Sequence, residues 1–163
     1  MKKFELTNEF IANRFGTKLF RIRALVEFGD VEAGELGGYV EKESNLGHDD
    51  NAWVYGNAWV YGDAQVYGNA RVCGDARVCG NGDYAYAHGF GSVNRTTTFF
   101  RLKDGGVGVR CGCFYGTLAQ FRDKIRETHG ETKKAQEYLM LADLMELRFE
   151  EDENEVGNRK YVE

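Results

Sequence analysis

The sequence predicts a mainly β chain built around a short parallel β-helix, and three observations predict it. Residues 52–81 read AWVYGN AWVYGD AQVYGN ARVCGD ARVCGN, five consecutive near-copies of one six-residue unit. Within each copy alanine and valine stand two apart, so on an extended backbone both point to one face, while the residues flanking valine point to the other. The chain holds 21 glycines and no proline, so its corners are turned by Gly-Asn and Gly-Asp while every backbone donor is kept for pairing. A glycine at every sixth position also excludes a helix here, at about 1 kcal/mol each relative to alanine.

The bulk numbers bound the rest. The chain has 163 residues, of which 42% are hydrophobic and 29% charged, enough for a repeat array with one small appended domain. A formal net charge of −5 argues against a general nucleic-acid binder. No apolar run approaches a membrane span, and the opening MKKFELTNEF lacks the apolar centre of a secretory signal. The expectation is a cytoplasmic protein with no membrane partner, its four cysteines (Cys73, Cys79, Cys111, Cys113) reduced.

In chain order, residues 1–35 predict an N-terminal β cap. Phe10 and Ile11, then Leu19, Phe20 and Ile22, form two apolar-rich runs that fold as a hairpin across Asn13–Gly16. The repeat region spans 36–92. Its inward valines are Val54, Val60, Val66, Val72 and Val78; the series runs back to Leu46 and Val40 if two extra residues sit near His48–Asp50, and forward to Tyr84 and Phe90. Residues 96–150 predict a ββαα module. Two strands meet at a turn over Asp104–Gly106, and Thr117 with Gln120 forms the capping box of a first helix closed by Gly130. Thr132 caps a second helix over about Lys133–Phe149, with Tyr138, Leu141, Ala142, Met145 and Phe149 as its apolar face. Residues 151–163 are an acidic tail.

The repeat resembles the hexapeptide-repeat family, closely over 52–81 and loosely over about 36–90. That resemblance implies a short left-handed parallel β-helix, where the general crossover rule alone would give a right-handed one. With three units to a coil, residues 18 apart stack, which sets Trp53 beneath Arg71 and Trp59 beneath Arg77 as cation–π pairs. The outward positions carry Trp53, Tyr55, Trp59, Tyr61, Tyr67, Arg71 and Arg77. Two readings follow: these residues pack against the terminal segments or a second subunit of a homo-oligomer, or they form a recognition surface, since Trp, Tyr and Arg dominate binding hot spots.

The stretch RIRALVEFGDVEAGELGGYVEKESNL, followed by NAWVYG, is similar to hexapeptide-repeat proteins carried by bacteriophages and prophages, and CGCFYGTLAQFRDKIRETHG resembles a C-terminal segment of such proteins. The resemblance implies a host bacterial cytoplasm as the setting. It also raises acyl transfer, since many hexapeptide-repeat proteins use a loop histidine as general base on acyl-coenzyme A; His48 and His88 are the candidates here, while His129 is accounted for by a helix C-terminus. Against it stand the short array and the lack of a long loop between coils. Cys111 and Cys113, expected on one face of a strand, are too few ligands for a zinc site, so no metal and no cofactor is expected. The reading that results is a non-catalytic phage or prophage binding protein acting on a host component, either a defence protein or a signalling nucleotide held by arginine and stacked on an aromatic ring. The alternatives are a hexapeptide-type acyltransferase and a structural phage assembly protein.

Overall fold

The structure, a computed structural model, describes residues 2–91 and 95–150; the predicted acidic tail lies outside the described residues. Strands β1 (Phe4–Ala12) and β2 (Lys18–Ala24) form the expected hairpin. Its turn is held by Asn13, whose side-chain oxygen accepts from the N–H groups of Phe15 at 2.9 Å and Thr17 at 3.0 Å. The hairpin is more than a lid. Strand β3 (Leu36–Val40) pairs antiparallel with β2, then parallel with β5 (Trp59–Val60), which pairs parallel with β7 (Arg77–Val78). The cap and one ladder of the repeat are therefore a single five-stranded sheet in the order β1-β2-β3-β5-β7.

A second parallel ladder joins β4 (Trp53–Val54) to β6 (Arg71–Val72), and a third is marked by the parallel bridge Leu46↔Val66. Val54 pairs with Val72 and Val60 with Val78, eighteen residues apart, whereas Val40 pairs with Val60 and Leu46 bridges to Val66 twenty apart. The two extra residues thus lie between Leu46 and Val54, where the sequence locates them. Inside, the valines of the repeat and Ala52, Ala58, Ala64, Ala70 and Ala76 are all buried. Each buried valine contributes roughly 1.5–3 kcal/mol, and the alanines leave room for the close approach of the three ladders.

The C-terminal part corrects the predicted ββαα module. Four strands, β8 (Tyr84–Phe90), β9 (Arg95–Arg101), β10 (Val107–Cys111) and β11 (Phe114–Thr117), form an antiparallel sheet in the order β11-β10-β9-β8. Tyr84 does continue the repeat: it is buried in the same core as Val66, and its hydroxyl donates to the Gln65 carbonyl at 2.6 Å. Phe90 does not. Without a Gly-Asn or Gly-Asp corner after Tyr84 the chain stays extended, and Phe90 packs in the second core.

Helices α1 (Leu118–His129) and α2 (Lys133–Phe149) cover the outer face of this sheet. The capping box is present, Gln120 N–H donating to Thr117 Oγ1 at 3.2 Å and Thr117 N–H to Gln120 Oε1 at 2.9 Å. Phe99 faces the helices and its neighbour Phe100 faces the repeat core, so the sheet is packed on both sides. A buried ion pair joins the two parts: Arg101 lies 3.6 Å from Asp83, both about 5% exposed, and also donates to the Phe149 carbonyl at 3.0 Å. Removing either partner would strand a buried charge, the costly case for such pairs. Among the described residues no helix is long and apolar enough to cross a membrane.

Candidate anion-binding site

The outward residues of the repeat are largely covered by the chain's own ends. Trp53 is fully buried between Phe28 and Phe4, with edge-on ring centroids at 5.2 and 6.4 Å. Tyr61 is buried with Leu19 and Tyr39 of the N-terminal sheet, and Trp59 packs at the edge of that cluster. Both Trp53 and Tyr61 therefore leave the predicted binding surface, because the five-stranded sheet and the loop after β2 close over them. Tyr67 alone stays more than half exposed, edge-on to Tyr86 at 6.4 Å.

The stacking register holds for both predicted pairs, with different outcomes. The Arg77 guanidinium lies 3.8 Å over the Trp59 ring, as expected. Arg71 is in register with Trp53, but with that indole buried its guanidinium turns to Asp30 at 3.4 Å. Asp30 also accepts from the Tyr55 hydroxyl at 2.8 Å, and Arg110 lies 5.3 Å over the Tyr55 ring. Burial and the bond to Asp30 push the Tyr55 phenol up, keeping it a neutral donor.

Both candidate histidines are hydrogen-bonded within the fold. His48 accepts the Lys3 backbone N–H at its Nδ1 (3.0 Å), which leaves Nε2 to donate to Glu43 Oε1 at 3.0 Å, and its ring stacks on Phe4 at 4.3 Å. His88, on β8, pairs with Thr96 Oγ1 at 2.8 Å. His129 ends α1, as expected, and stacks on Tyr138 at 5.9 Å.

A different set of side chains converges where the repeat meets the C-terminal sheet. Gly112 and Cys113 form the turn between β10 and β11, with Gly112 at φ +60. The Arg95 guanidinium rests over Gly112, so closely that a β-carbon there would collide with its Nη1. Arg95 lines two cavities. One, of about 250 Å³, is completed by Asn69, Arg71, Thr96 and Gly112. The other, of about 240 Å³, is walled by Phe114, Phe121 and Tyr138 and rimmed by Lys124, Thr128 and His129. Arg71, Arg95 and Lys124 supply positive charge to the two cavities, that of Arg71 shared with Asp30, and among the described residues no acidic side chain lines either cavity.

The Gly112 turn also corrects the cysteine reading, since Cys111 and Cys113 do not share a strand face. Cys111, half-buried, accepts from Thr97 Oγ1 at 3.3 Å and lies 3.8 Å from the Tyr138 hydroxyl, whereas Cys113 is exposed. Burial, with Cys111 adding to it, pushes the Tyr138 phenol up to about 12, so it faces the cavity as a neutral donor. Among the described residues no group of three or more His, Cys, Asp or Glu is disposed to hold a metal ion.

Sequence reasoning missed Arg95, Lys124 and Thr128. Lys124 and Thr128 border the buried Phe121–Ile125 stripe of α1, a helical spacing that could have marked them. Nothing local marks Arg95, which reaches the cleft only because β9 lies against β6. Residues 64–80, spanning β6, β7 and the corner between them, match the YdcK beta solenoid repeat family. No curated protein matches the chain.

Proposed function

We propose that the protein is a non-catalytic binding protein of phage or prophage setting that takes a small phosphorylated ligand, of the signalling-nucleotide class, in the cationic cleft. The observation that carries this reading is that Arg95 lines two cavities, sharing one with Arg71 and the other with Lys124, with no acidic side chain in either lining among the described residues, in a chain whose net charge is −5. Guanidinium groups pair with phosphate oxygens in bidentate fashion, and the half-buried Phe114 ring on the cavity wall offers an apolar surface for a base. Each cavity, at about 240 and 250 Å³, has room for a phosphate or a small phosphorylated group rather than a drug-sized ligand, whose sites run to roughly 300–1,000 Å³. The repeat is read as a left-handed β-helix of hexapeptide type. Its eighteen-residue ladder step, the solenoid-repeat match and the resemblance to phage hexapeptide proteins support that reading, and the last supports a host-cytoplasm setting.

The test is a thermal-shift and calorimetric screen with inorganic phosphate, cyclic mono- and dinucleotides, ADP-ribose and acetyl-coenzyme A. A phosphorylated nucleotide is expected to stabilise the protein, with affinity falling about tenfold or more in Arg95→Ala, the loss of one charged hydrogen-bond partner. No stabilisation by any phosphorylated compound, or stabilisation indifferent to both Arg95→Ala and Lys124→Ala, would overturn the reading. Stabilisation by acetyl-coenzyme A that is lost in His48→Ala or His88→Ala would favour acyl transfer instead.

A further inference from the structure

Helix α2 has two apolar faces. Ala135, Tyr138, Ala142, Met145 and Phe149 are buried in the C-terminal core. On the opposite side Met140, Leu144 and Leu147 are 71%, 53% and 66% exposed. Their four-then-three spacing is that of a coiled-coil seam, and Glu137 and Lys133 continue it toward the N-terminus. An ordinary surface helix is polar on the side away from its core, so this stripe calls for a partner.

We infer that the stripe is a self-association surface, on which α2 of a second copy lies antiparallel. The charges around the seam select that arrangement. With Met140 opposite Leu144 of the second copy, the twofold brings Glu137 beside Arg148 of the other chain and Lys133 beside Glu150, and each contact is made twice. Arg148 is exposed, and in its own chain its guanidinium donates to the Asn81 carbonyl at a long 3.5 Å. A parallel pair would instead set Lys133 on Lys133 and Glu137 on Glu137 within the seam, like charges in a drying interface. Antiparallel helices also oppose their macrodipoles favourably. Asp143 and Glu146 do not spoil the contact, because both are drawn toward α1 by Arg122, at 2.9 and 3.1 Å.

The stripe covers little more than two helical turns, well short of the roughly 1,200 Å² of a durable interface. The dimer is therefore in exchange with monomer, as contacts below the standard interface size are. Sedimentation velocity of the full chain up to about 1 mM should show the average mass rising toward that of a dimer. Leu144→Glu should weaken association at least tenfold while leaving the unfolding temperature unchanged, since Leu144 is exposed. Glu137→Arg and Arg148→Glu should each weaken it, and together restore it. A chain ending at Glu150 should associate as the full chain does. A monomer throughout, a dimer indifferent to Leu144→Glu, or a double reversal no tighter than its single variants would overturn the inference. So would association of the shortened chain alone, which would make residues 151–163 the cover of the stripe.

Discussion

Lys3 is almost wholly buried, 3% exposed, where the repeat takes its two extra residues. Its ammonium donates to the carbonyls of Asp50 at 2.8 Å and Ala52 at 2.7 Å and lies 4.6 Å over the Phe28 ring. The irregular corner breaks the ladder, and this side chain satisfies carbonyls that a regular corner would pair with backbone. Burial lowers the Lys3 pKa from 10.5 to about 8, with Asp50 and then Asp49 pulling it back up. Between these two values the unfolded chain binds more protons than the folded one, so the lysine's contribution to stability rises with pH and levels off above 10.5. Chemical denaturation of wild type and Lys3→Met should therefore show the difference shifting in favour of wild type from pH 8 to 10.5. Subtracting the two curves removes tyrosine terms such as that of Tyr84, pushed up to about 12. A difference independent of pH would mean that Lys3 titrates normally in the fold. The sequence marks the insertion, but it cannot show that a lysine 45 or more residues away fills it.

At the scale of elements, the repeat's corners are equivalent in sequence and unequal in surroundings. Gly56 and Gly62 both adopt positive φ, +59 and +62, but a β-carbon at Gly56 would meet none of the described residues, whereas at Gly62 it would fall 2.5 Å from the Cys79 carbonyl oxygen that follows β7. Gly56→Ala should therefore cost only the backbone strain, about 1–2 kcal/mol. Gly62→Ala should cost clearly more, because the ladder between β5 and β7 must open to admit the methyl group. Urea unfolding of the two variants reads the difference, and equal losses would refute this account. The same contrast governs what was legible in these elements. Inward valines, the caps of both helices and the Asn13 hairpin follow from local chemistry and are found where the sequence puts them. Strand β8 was missed because Tyr84 and Phe90 keep the six-residue spacing although no Gly-Asn or Gly-Asp corner stands between them, and its pairing with β9 is a contact the period does not encode.

Across the whole molecule, the sheet of β8 to β11 belongs to two cores at once. Phe100 is buried with the valines of the repeat and Phe99 with the helices, and the Asp83–Arg101 pair ties the same joint. Phe99→Ala and Phe100→Ala should each cost about 3–5 kcal/mol. Because the cores share a sheet, either loss should lower the midpoint of one common unfolding transition, followed by tryptophan fluorescence for the repeat and helical circular dichroism for the module. Two separated transitions would show that the parts fold independently. The candidate site lies at this same joint, and that explains why it was hidden. Arg71 was named from its place in the repeat, while Arg95 and Lys124 come from a strand and a helix that no local pattern connects to it. The sequence by itself determined the short strands of the repeat, the two inserted residues, the hairpin and the two helices, because strand alternation, glycine corners and side-chain caps act within a few residues of the backbone they shape. Only the tertiary structure decided which outward side chains are covered and which remain to meet a ligand, because that depends on where the ends of the chain dock, and docking is set by burial between segments far apart in sequence.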